Sequence, residues 1–183
     1  IDPRLQLEVL RQVERPKLVA CDTMNFWIES RRPDLMELLK HVDAILLNDG
    51  EARQLTEHAN LVKAARWILN RGPKIVIIKK GEHGAFMFTE HSVFFAPAYP
   101  LEDVFDPTGA GDSFAGGFMG YLARTGKLDE EHMRRAVVYG SAMGSFAVEK
   151  FSIERLLEID HDMIRERLNE FRRLVAFEEE LAS

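Results

Sequence analysis

The residues best suited to chemistry lie in one Gly-rich stretch, Asp-Pro-Thr-Gly-Ala-Gly-Asp-Ser-Phe-Ala-Gly-Gly, at positions 106–117. Its pattern predicts a strand, a loop and then a helix that begins near Gly109, Ala110 and Gly111. Backbone N–H groups at such a helix start favour an anion such as phosphate. Asp112 would lie in the first helical turn, where it either offsets the helix dipole or accepts a proton from a substrate hydroxyl during phosphoryl transfer.

Hydrophobic patterning indicates the elements that position this stretch. Continuous apolar runs predict buried strands at residues 17–22, 43–48 and 74–79, with helical periodicity between them. Buried strands that alternate with helices favour a parallel sheet with helices on both faces. Two short strands at 85–89 and 92–97 are predicted to form a hairpin, and the chain after the Gly-rich stretch is predicted to be helical.

The stretch at 106–117 resembles the C-terminal signature of the PfkB/ribokinase-like carbohydrate kinase family. The motif is a specific signal of this family, because its positions are contiguous and lie in the expected strand–loop–helix context. The resemblance implies that Asp112 is the catalytic base and that the amides of residues 109–111 form the anion hole for the γ-phosphate of ATP. It also implies that Asp106 and Thr108 help to bind a monovalent cation such as K⁺.

A second match is Asn48-Asp49-Gly50-Glu51, at the end of the second predicted strand, which resembles the family's Asn-x-x-Glu motif. A carboxylate and an amide there can orient water around Mg²⁺, which keeps several waters when bound. The resemblance therefore implies that Glu51 holds Mg²⁺ through water and that Asn48 lies beside ATP. Without the other motifs, an Asn/Asp-Gly turn followed by a Glu at a helix N-terminus is the favoured interpretation.

A third match, Lys79-Lys80-Gly81-Glu82-His83-Gly84, follows the third predicted strand and resembles the family's Gly-x-x-Gly nucleotide loop. Gly81 and Gly84 would let the backbone approach ATP closely. Lys79 or Lys80 would neutralise phosphate charge, although lysines that flank a strand are usually only solvated. Alone, this pattern equally fits the turn that enters a hairpin.

Composition excludes several other classes of protein. The 183 residues include 24 Lys+Arg and 30 Asp+Glu, and the net charge of −6 argues against a nucleic-acid binder. One cysteine excludes an internal disulfide framework. No apolar run reaches the roughly 18 residues of a membrane span. The first residues are not expected to act as a signal peptide. The acidic run at 178–180 is predicted to be a solvated helix end.

A dinucleotide site is disfavoured because Asp22-Thr23-Met24-Asn25 follows the first strand where a glycine fingerprint would be needed. The resemblance implies instead that Asp22 and Asn25 lie near the nucleotide and substrate cleft. One departure from the family is Lys150-Phe151-Ser152, where members often carry a Gly-Ala turn near the adenine and cation site.

We therefore predict an α/β fold in which residues 1–183 form the C-terminal portion of a single, three-layer ribokinase-like kinase domain, with a mostly parallel sheet and helices on both faces. The family's early Gly-Gly signature, most of its sugar-contacting residues and its β-sheet lid are not found in the sequence. We expect an N-terminal segment to precede Ile1, and the alternative is a naturally shortened relative. The resemblance also implies a homodimer formed through that lid.

The predicted function is ATP- and Mg²⁺-dependent phosphorylation of an alcohol group on a sugar, a nucleoside or a related small polyol, in the cytoplasm. The predicted partner is a small-molecule substrate, with no nucleic acid and no membrane. The alternative is a non-catalytic nucleotide-binding or regulatory module that keeps the fold without turnover. Asp112 and the intact Gly-rich loop argue against it, because such a module needs no base.

Overall fold

The computed structural model of the protein describes residues 1–176, so the predicted acidic helix end at 178–180 lies outside the described residues. The chain forms two compact units. Unit 1 comprises Ile1–Gly81 and Ala85–Phe95, and unit 2 comprises Glu82–Gly84 and the chain from Ala96 onward. In chain order the elements are α1 (Pro3–Arg11), β1 (Ala20–Asp22), α2 (Asn25–Ser30), α3 (Arg32–Leu39), β2 (Ala44–Asn48), α4 (Asp49–Thr56), α5 (Leu61–Leu69), β3 (Ile75–Lys79), a 3-10 turn (Gly81–His83), β4 (Ala85–Phe88), β5 (Val93–Ala96), α6 (Ala110–Thr125), α7 (Glu130–Ala147), α8 (Glu154–Glu158) and α9 (His161–Val175).

The five strands form one mixed sheet in the order β1-β2-β3-β4-β5. β1, β2 and β3 run parallel, with Ala44 of β2 opposite Ala20 on one side and Ile75 on the other. β4 runs antiparallel to β3 and continues into β5 through a short loop, in which the N–H of Thr89 donates to the carbonyl oxygen of Ser92 at 2.9 Å. The predicted parallel strands and the predicted hairpin are therefore confirmed.

Burial of the central strands anchors unit 1. Residues 44–47 of β2 and 75–78 of β3 are all buried, which explains why these runs are continuously apolar. Each Leu or Ile that becomes fully buried contributes about 1.5–3 kcal/mol. The surrounding helices supply fully buried partners to the same unit, among them Leu35, Leu38, Leu39, Leu55 and Ile68. Polar residues at the ends of these strands are thus held by a rigid core.

The helices α6 and α7 of unit 2 approach each other closely through glycine. A Cβ on Gly117 would lie 2.7 Å from Met143 Cγ, and one on Gly140 would lie 2.8 Å from the carbonyl oxygen of Phe114. Both distances are shorter than atoms tolerate, so a larger residue would push the helices apart. This packing fixes the helix whose first turn carries Asp112.

The strand predicted before the Gly-rich stretch does not form, and residues 97–109 are irregular. Pro97, Pro100 and Pro107 lack the N–H that a sheet ladder needs. Val104 and Phe105 are 58% and 73% exposed, so these two side chains do not form the buried face of a strand. The prediction of a strand–loop–helix unit is wrong in its first part, and only the loop and the helix are found.

Sequence patterning missed a buried arginine in α9. Arg167 is 9% exposed, and its guanidinium donates to Ser145 Oγ and to Glu149 Oε1, each at 2.6 Å. Its Cζ atom also lies 3.9 Å from the ring centroid of Tyr99 and 4.1 Å from that of Phe146. This residue ties α7, α9 and the segment before the Gly-rich stretch together.

Replacing Arg167 by Ala should lower the free energy of unfolding by about 3 kcal/mol, because it removes one partner of a buried, hydrogen-bonded charge pair. Denaturant unfolding would measure the loss. Arg165→Ala is the matched control, because the Arg165 side chain is 71% exposed and pairs with the exposed Asp162. The control should stay within about 0.5 kcal/mol of the wild type. Equal effects of the two substitutions would contradict a bracing role for Arg167.

No helix within residues 1–176 is long and apolar enough to cross a membrane.

Candidate active site

Three polar residues end the parallel strands of unit 1. Asp22 ends β1, Asn48 ends β2 and Lys79 ends β3. Asn48 lies directly opposite Lys79 in the sheet register, and Asp22 lies opposite Leu46. Ligands of open α/β sheets bind at this carboxyl edge. The structure therefore brings the predicted residues of unit 1 to the edge where a nucleotide would be expected.

Asn48 and Glu51 form a reciprocal capping box at the start of α4. Asn48 Oδ1 accepts the N–H of Glu51 at 2.7 Å, and Glu51 Oε2 accepts the N–H of Asn48 at 2.8 Å. These bonds satisfy two N–H groups that a helix start otherwise leaves free. The structure therefore places Glu51 at a helix N-terminus, as the turn-and-cap interpretation of this motif predicts. The cap uses one carboxylate oxygen of Glu51, which is compatible with a second role for this side chain.

Glu51 is a buried carboxylate, 7% exposed. Burial raises the pKa of Glu51, and the charge of Asp22 raises it further. The N–H of Asn48 and the charge of Lys79 act in the opposite direction. The capping bond to Asn48 uses Glu51 Oε2. A desolvated carboxylate next to an amide oxygen is a donor set suited to hydrated Mg²⁺.

No group of three or more His, Cys, Asp and Glu side chains suited to a metal converges among the described residues. Direct chelation by a full protein cage is therefore not built into this part of the chain. Glu51 and Asp22 fit a different mode, in which one or two carboxylates hold Mg²⁺ while waters and phosphates supply the other ligands.

The polar residues that follow β1 belong to the same unit. Asn25 begins α2, and its Nδ2 donates to Gln54 Oε1 of α4 at 2.7 Å. Gln54 Nε2 in turn donates to Glu29 Oε1 at 2.6 Å. Asn25 is thus tied to the helix that carries Glu51, a link between distant positions that the sequence does not reveal.

The two glycines of the Gly-x-x-Gly segment have different requirements. Gly84 has φ +89°, and a Cβ there would lie 2.2 Å from the carbonyl oxygen of Ala96. Gly81 has φ +54°, and a Cβ there would meet nothing within 4 Å. Position 84 therefore favours glycine for two reasons, the close approach of the Ala96 carbonyl and the left-handed backbone. At position 81, only the left-handed backbone favours glycine.

Replacing Gly84 by Ala should destabilise the protein by more than about 2 kcal/mol, because both the steric clash and the left-handed backbone oppose a side chain. Gly81→Ala should cost only about 1 kcal/mol from backbone strain. Thermal unfolding of the two variants side by side would measure the difference. A larger loss for Gly81→Ala would contradict the structural role of Gly84.

In unit 2, α6 begins as the Gly-rich sequence predicts. Gly109 is the N-cap with φ +78°, and Asp112 is exposed in the first turn. Among the described residues, the N–H groups of Gly109 and Gly111 donate to no partner, whereas Ala110 donates to the carbonyl oxygen of Pro107 at 3.2 Å. Two of the three predicted amides are thus available to an anion in this conformation.

Asp106 and Thr108 hold the loop that leads into α6. Asp106 Oδ1 accepts the N–H of Thr108 at 2.9 Å, and Asp106 Oδ2 accepts the N–H of Ser152 at 3.2 Å. The backbone and side chain of Thr108 and the N–H of Ser152 hold the pKa of Asp106 below its usual range. Sequence reasoning missed Ser152 as a partner, because 46 positions separate it from Asp106 and no local pattern links them.

The predicted site residues thus fall into two groups. Unit 1 brings together Asn48, Glu51 and Lys79, and it also holds Gly81. Unit 2 holds a second group, which consists of Gly84, Asp106, Thr108, Gly109, Ala110, Gly111 and Asp112.

A family model described as "pfkB family carbohydrate kinase" matches residues 7–159. The chain belongs to the pfkB family of carbohydrate kinases. Among curated proteins, it is 35% identical to a cytidine kinase of Thermococcus kodakarensis over 135 residues, which cover 71% of this chain and 48% of that protein. It is also 35% identical to an aminoimidazole riboside kinase of Salmonella typhimurium over 98 residues, which cover 54% of this chain and 30% of that protein.

Solved structures agree with this assignment. The aminoimidazole riboside kinase of Salmonella enterica, complexed with aminoimidazole riboside and an ATP analogue, matches with a TM-score of 0.71 and 27% identity, over 82% of this chain and 52% of that one. The nucleoside kinase of Methanocaldococcus jannaschii matches in fold with a TM-score of 0.74 and 24% identity, over 92% of this chain and 54% of that one. The predicted ribokinase-like α/β fold class is confirmed. The chain spans about half the length, or less, of these relatives.

Proposed function

We propose that this chain carries the phosphoryl-transfer part of a kinase that uses ATP to phosphorylate an alcohol group of a sugar or a nucleoside. The observation that carries the proposal is an exposed Asp112 in the first turn of α6, directly after two uncommitted N–H groups at Gly109 and Gly111 among the described residues. Phosphoryl transfer needs this combination, because one group must accept the proton of the acceptor hydroxyl while others stabilise charge on the phosphoryl oxygens.

The residues divide the work as follows. Asp112 accepts the hydroxyl proton as the acceptor oxygen attacks the γ-phosphorus, and ADP leaves. The N–H groups of Gly109 and Gly111, together with the positive end of the α6 dipole, stabilise the transferring group. Ala110 would join them if its bond to Pro107 opened.

At the carboxyl edge of unit 1, we propose roles in binding Mg²⁺ and phosphate. Glu51 and Asn48 would hold Mg²⁺ through water, and bound Mg²⁺ would neutralise phosphate charge. Lys79 adds a positive charge at the end of β3. Gly81 and Gly84 would shape the backbone beside the nucleotide, and the Ala96 carbonyl leaves no room for a side chain at Gly84.

We further propose that the protein acts in the cytoplasm on a small molecule, and that nucleosides are the first acceptors to test. The choice of nucleosides rests on the cytidine kinase relative, of which 135 residues align at 35% identity. Two further statements stay predictions. One is that residues 1–183 form part of a single kinase domain, and the other is that a homodimer forms through an N-terminal lid.

An ADP-release assay with the intact protein, ATP and Mg²⁺ tests the proposal over a panel of nucleosides and sugars. ADP release that depends on one acceptor class supports it. Calorimetric titration with ATP distinguishes this kinase from the alternative, a non-catalytic nucleotide-binding module. Binding of ATP without ADP release for any acceptor would favour that module.

A further inference from the structure

Asp106 joins two segments of unit 2 that are far apart in sequence. One carboxylate oxygen accepts the N–H of Thr108, two residues on, and the other accepts the N–H of Ser152. A hydrogen bond between backbone groups joins the same two segments, from the N–H of Phe105 to the carbonyl oxygen of Val148 at 2.9 Å. The loop that leads into α6 is thereby fastened to the turn between α7 and α8.

That turn is itself braced. Ser152 adopts φ +55°, a left-handed conformation that a non-glycine residue holds only when its surroundings enforce it. Within the turn, Glu149 accepts from Arg167 at 2.6 Å and from Arg155 at 2.7 Å. Lys150 donates to Glu158 at 2.5 Å. A braced turn offers a fixed N–H to Asp106, so the contact can define where the loop lies.

We propose that Asp106 is a positioning residue, which sets the Gly109–Gly111 amides for phosphoryl transfer by clamping their loop to the N–H of Ser152. The proposal rests on the proposed function for its catalytic consequence. Asp106 does not touch the reacting atoms in this role. It acts through the loop, because a small displacement of oriented amides is enough to weaken their effect on the transition state.

The clamp also bears on the predicted monovalent cation. Each oxygen of the Asp106 carboxylate already faces the positive end of an N–H dipole, at 2.9 and 3.2 Å. Both oxygens are thereby satisfied by N–H groups of the chain itself. We infer that the N–H of Ser152 takes the place of the cation that the resemblance implies. Activity should then be independent of K⁺.

Amide hydrogen exchange in the intact protein tests the clamp without relying on activity. Asp106→Asn keeps one acceptor oxygen, Asp106→Ala keeps none, and Asp103→Asn is the matched control on an exposed residue of the same segment. We expect faster exchange at both 106–113 and 148–153 in the two Asp106 variants and unchanged exchange in the control. Unchanged exchange at 148–153 in both Asp106 variants would overturn the clamp.

Steady-state kinetics test the positioning role. We expect kcat to fall about tenfold in Asp106→Asn and up to about 10²-fold in Asp106→Ala, with KM for ATP nearly unchanged. Replacing K⁺ by choline should leave wild-type activity unaltered. If wild-type activity required K⁺ and the Asp106→Asn variant lost this dependence on K⁺, the result would overturn the proposal in favour of a cation site. If the wild type phosphorylates no acceptor, the proposed function fails, and the exchange experiment still decides the clamp.

Discussion

Replacing Asp112 by Asn in the intact protein should lower kcat by about 10²-fold or more, while the Kd for ATP changes less than about threefold. Asn has nearly the shape of Asp and cannot accept the proton of the acceptor hydroxyl. Asp112 is exposed in the first turn of α6 and is not part of the described core, so its loss leaves the packing of Phe114 and Phe118 intact. Single-turnover kinetics measures the transfer step, and calorimetric titration measures ATP binding.

The control for Asp112→Asn must remove a charge from an equivalent position in another helix. Glu131 lies in the first turn of α7 with its side chain 68% exposed, so Glu131→Gln removes a similar interaction with a helix dipole. Glu131→Gln should keep the wild-type kcat. If Asp112→Asn transferred phosphate at the wild-type rate, Asp112 would only offset the helix dipole and the assigned role would be wrong.

The second large effect is expected at Glu51. Glu51→Gln should lower kcat/KM by up to about 10²-fold, because a group that orients metal-bound water contributes on this scale. Gln can still accept the N–H of Asn48, as capping boxes with Gln do. The variant therefore separates the two roles of the motif, since it keeps the helix cap and removes the charge. Mn²⁺ binding followed by electron paramagnetic resonance would report the metal directly.

The difference in stability between Glu51→Gln and the wild type should depend on pH, and it should favour the variant as the pH rises. Burial raises the pKa of Glu51 above its ordinary value of 4.5, so the folded state binds this proton more tightly than the unfolded state does. The resulting stabilisation is present below the unfolded-state pKa and is lost as the pH rises through the folded-state pKa. The Gln variant should therefore gain stability relative to the wild type as the pH rises from the unfolded-state pKa through the raised folded-state pKa.

Glu57→Gln provides the control for Glu51, because Glu57 ends the same helix with its side chain 81% exposed. It should change neither activity nor the pH dependence of stability. A Glu51→Gln variant that unfolds more easily at pH 7 and retains full activity would show that Glu51 serves only the cap.

The sequence predicts the elements whose local pattern is unambiguous. The runs that become β2 and β3 are apolar at consecutive positions because both strands are buried in the centre of the sheet. The start of α6 follows from Gly109, since a left-handed N-cap favours glycine. Asn48 and Glu51 are also found at the start of a helix, and their spacing of three residues is that of a capping box.

The remainder depends on contacts that no local pattern encodes. Three prolines oppose a strand before the Gly-rich stretch, although the apolar pair Val104 and Phe105 suggests one. Arg167 looks like a surface residue of an amphipathic helix, and its burial follows from long-range contacts with Ser145, Glu149 and the rings of Tyr99 and Phe146. The Asp106–Ser152 contact joins residues 46 positions apart. Such long-range pairs are set by tertiary packing.

The most direct test of the central claim is a search for the phosphorylated acceptor itself. The intact protein is incubated with ATP, Mg²⁺ and each nucleoside or sugar, and the products are separated and identified by mass spectrometry. We predict one acceptor class that gains a phosphoryl group in equimolar amount with the ADP formed, and no such product with Asp112→Asn over the same period. Binding of ATP with no phosphorylated product from any acceptor would contradict the claim that this chain carries phosphoryl-transfer machinery.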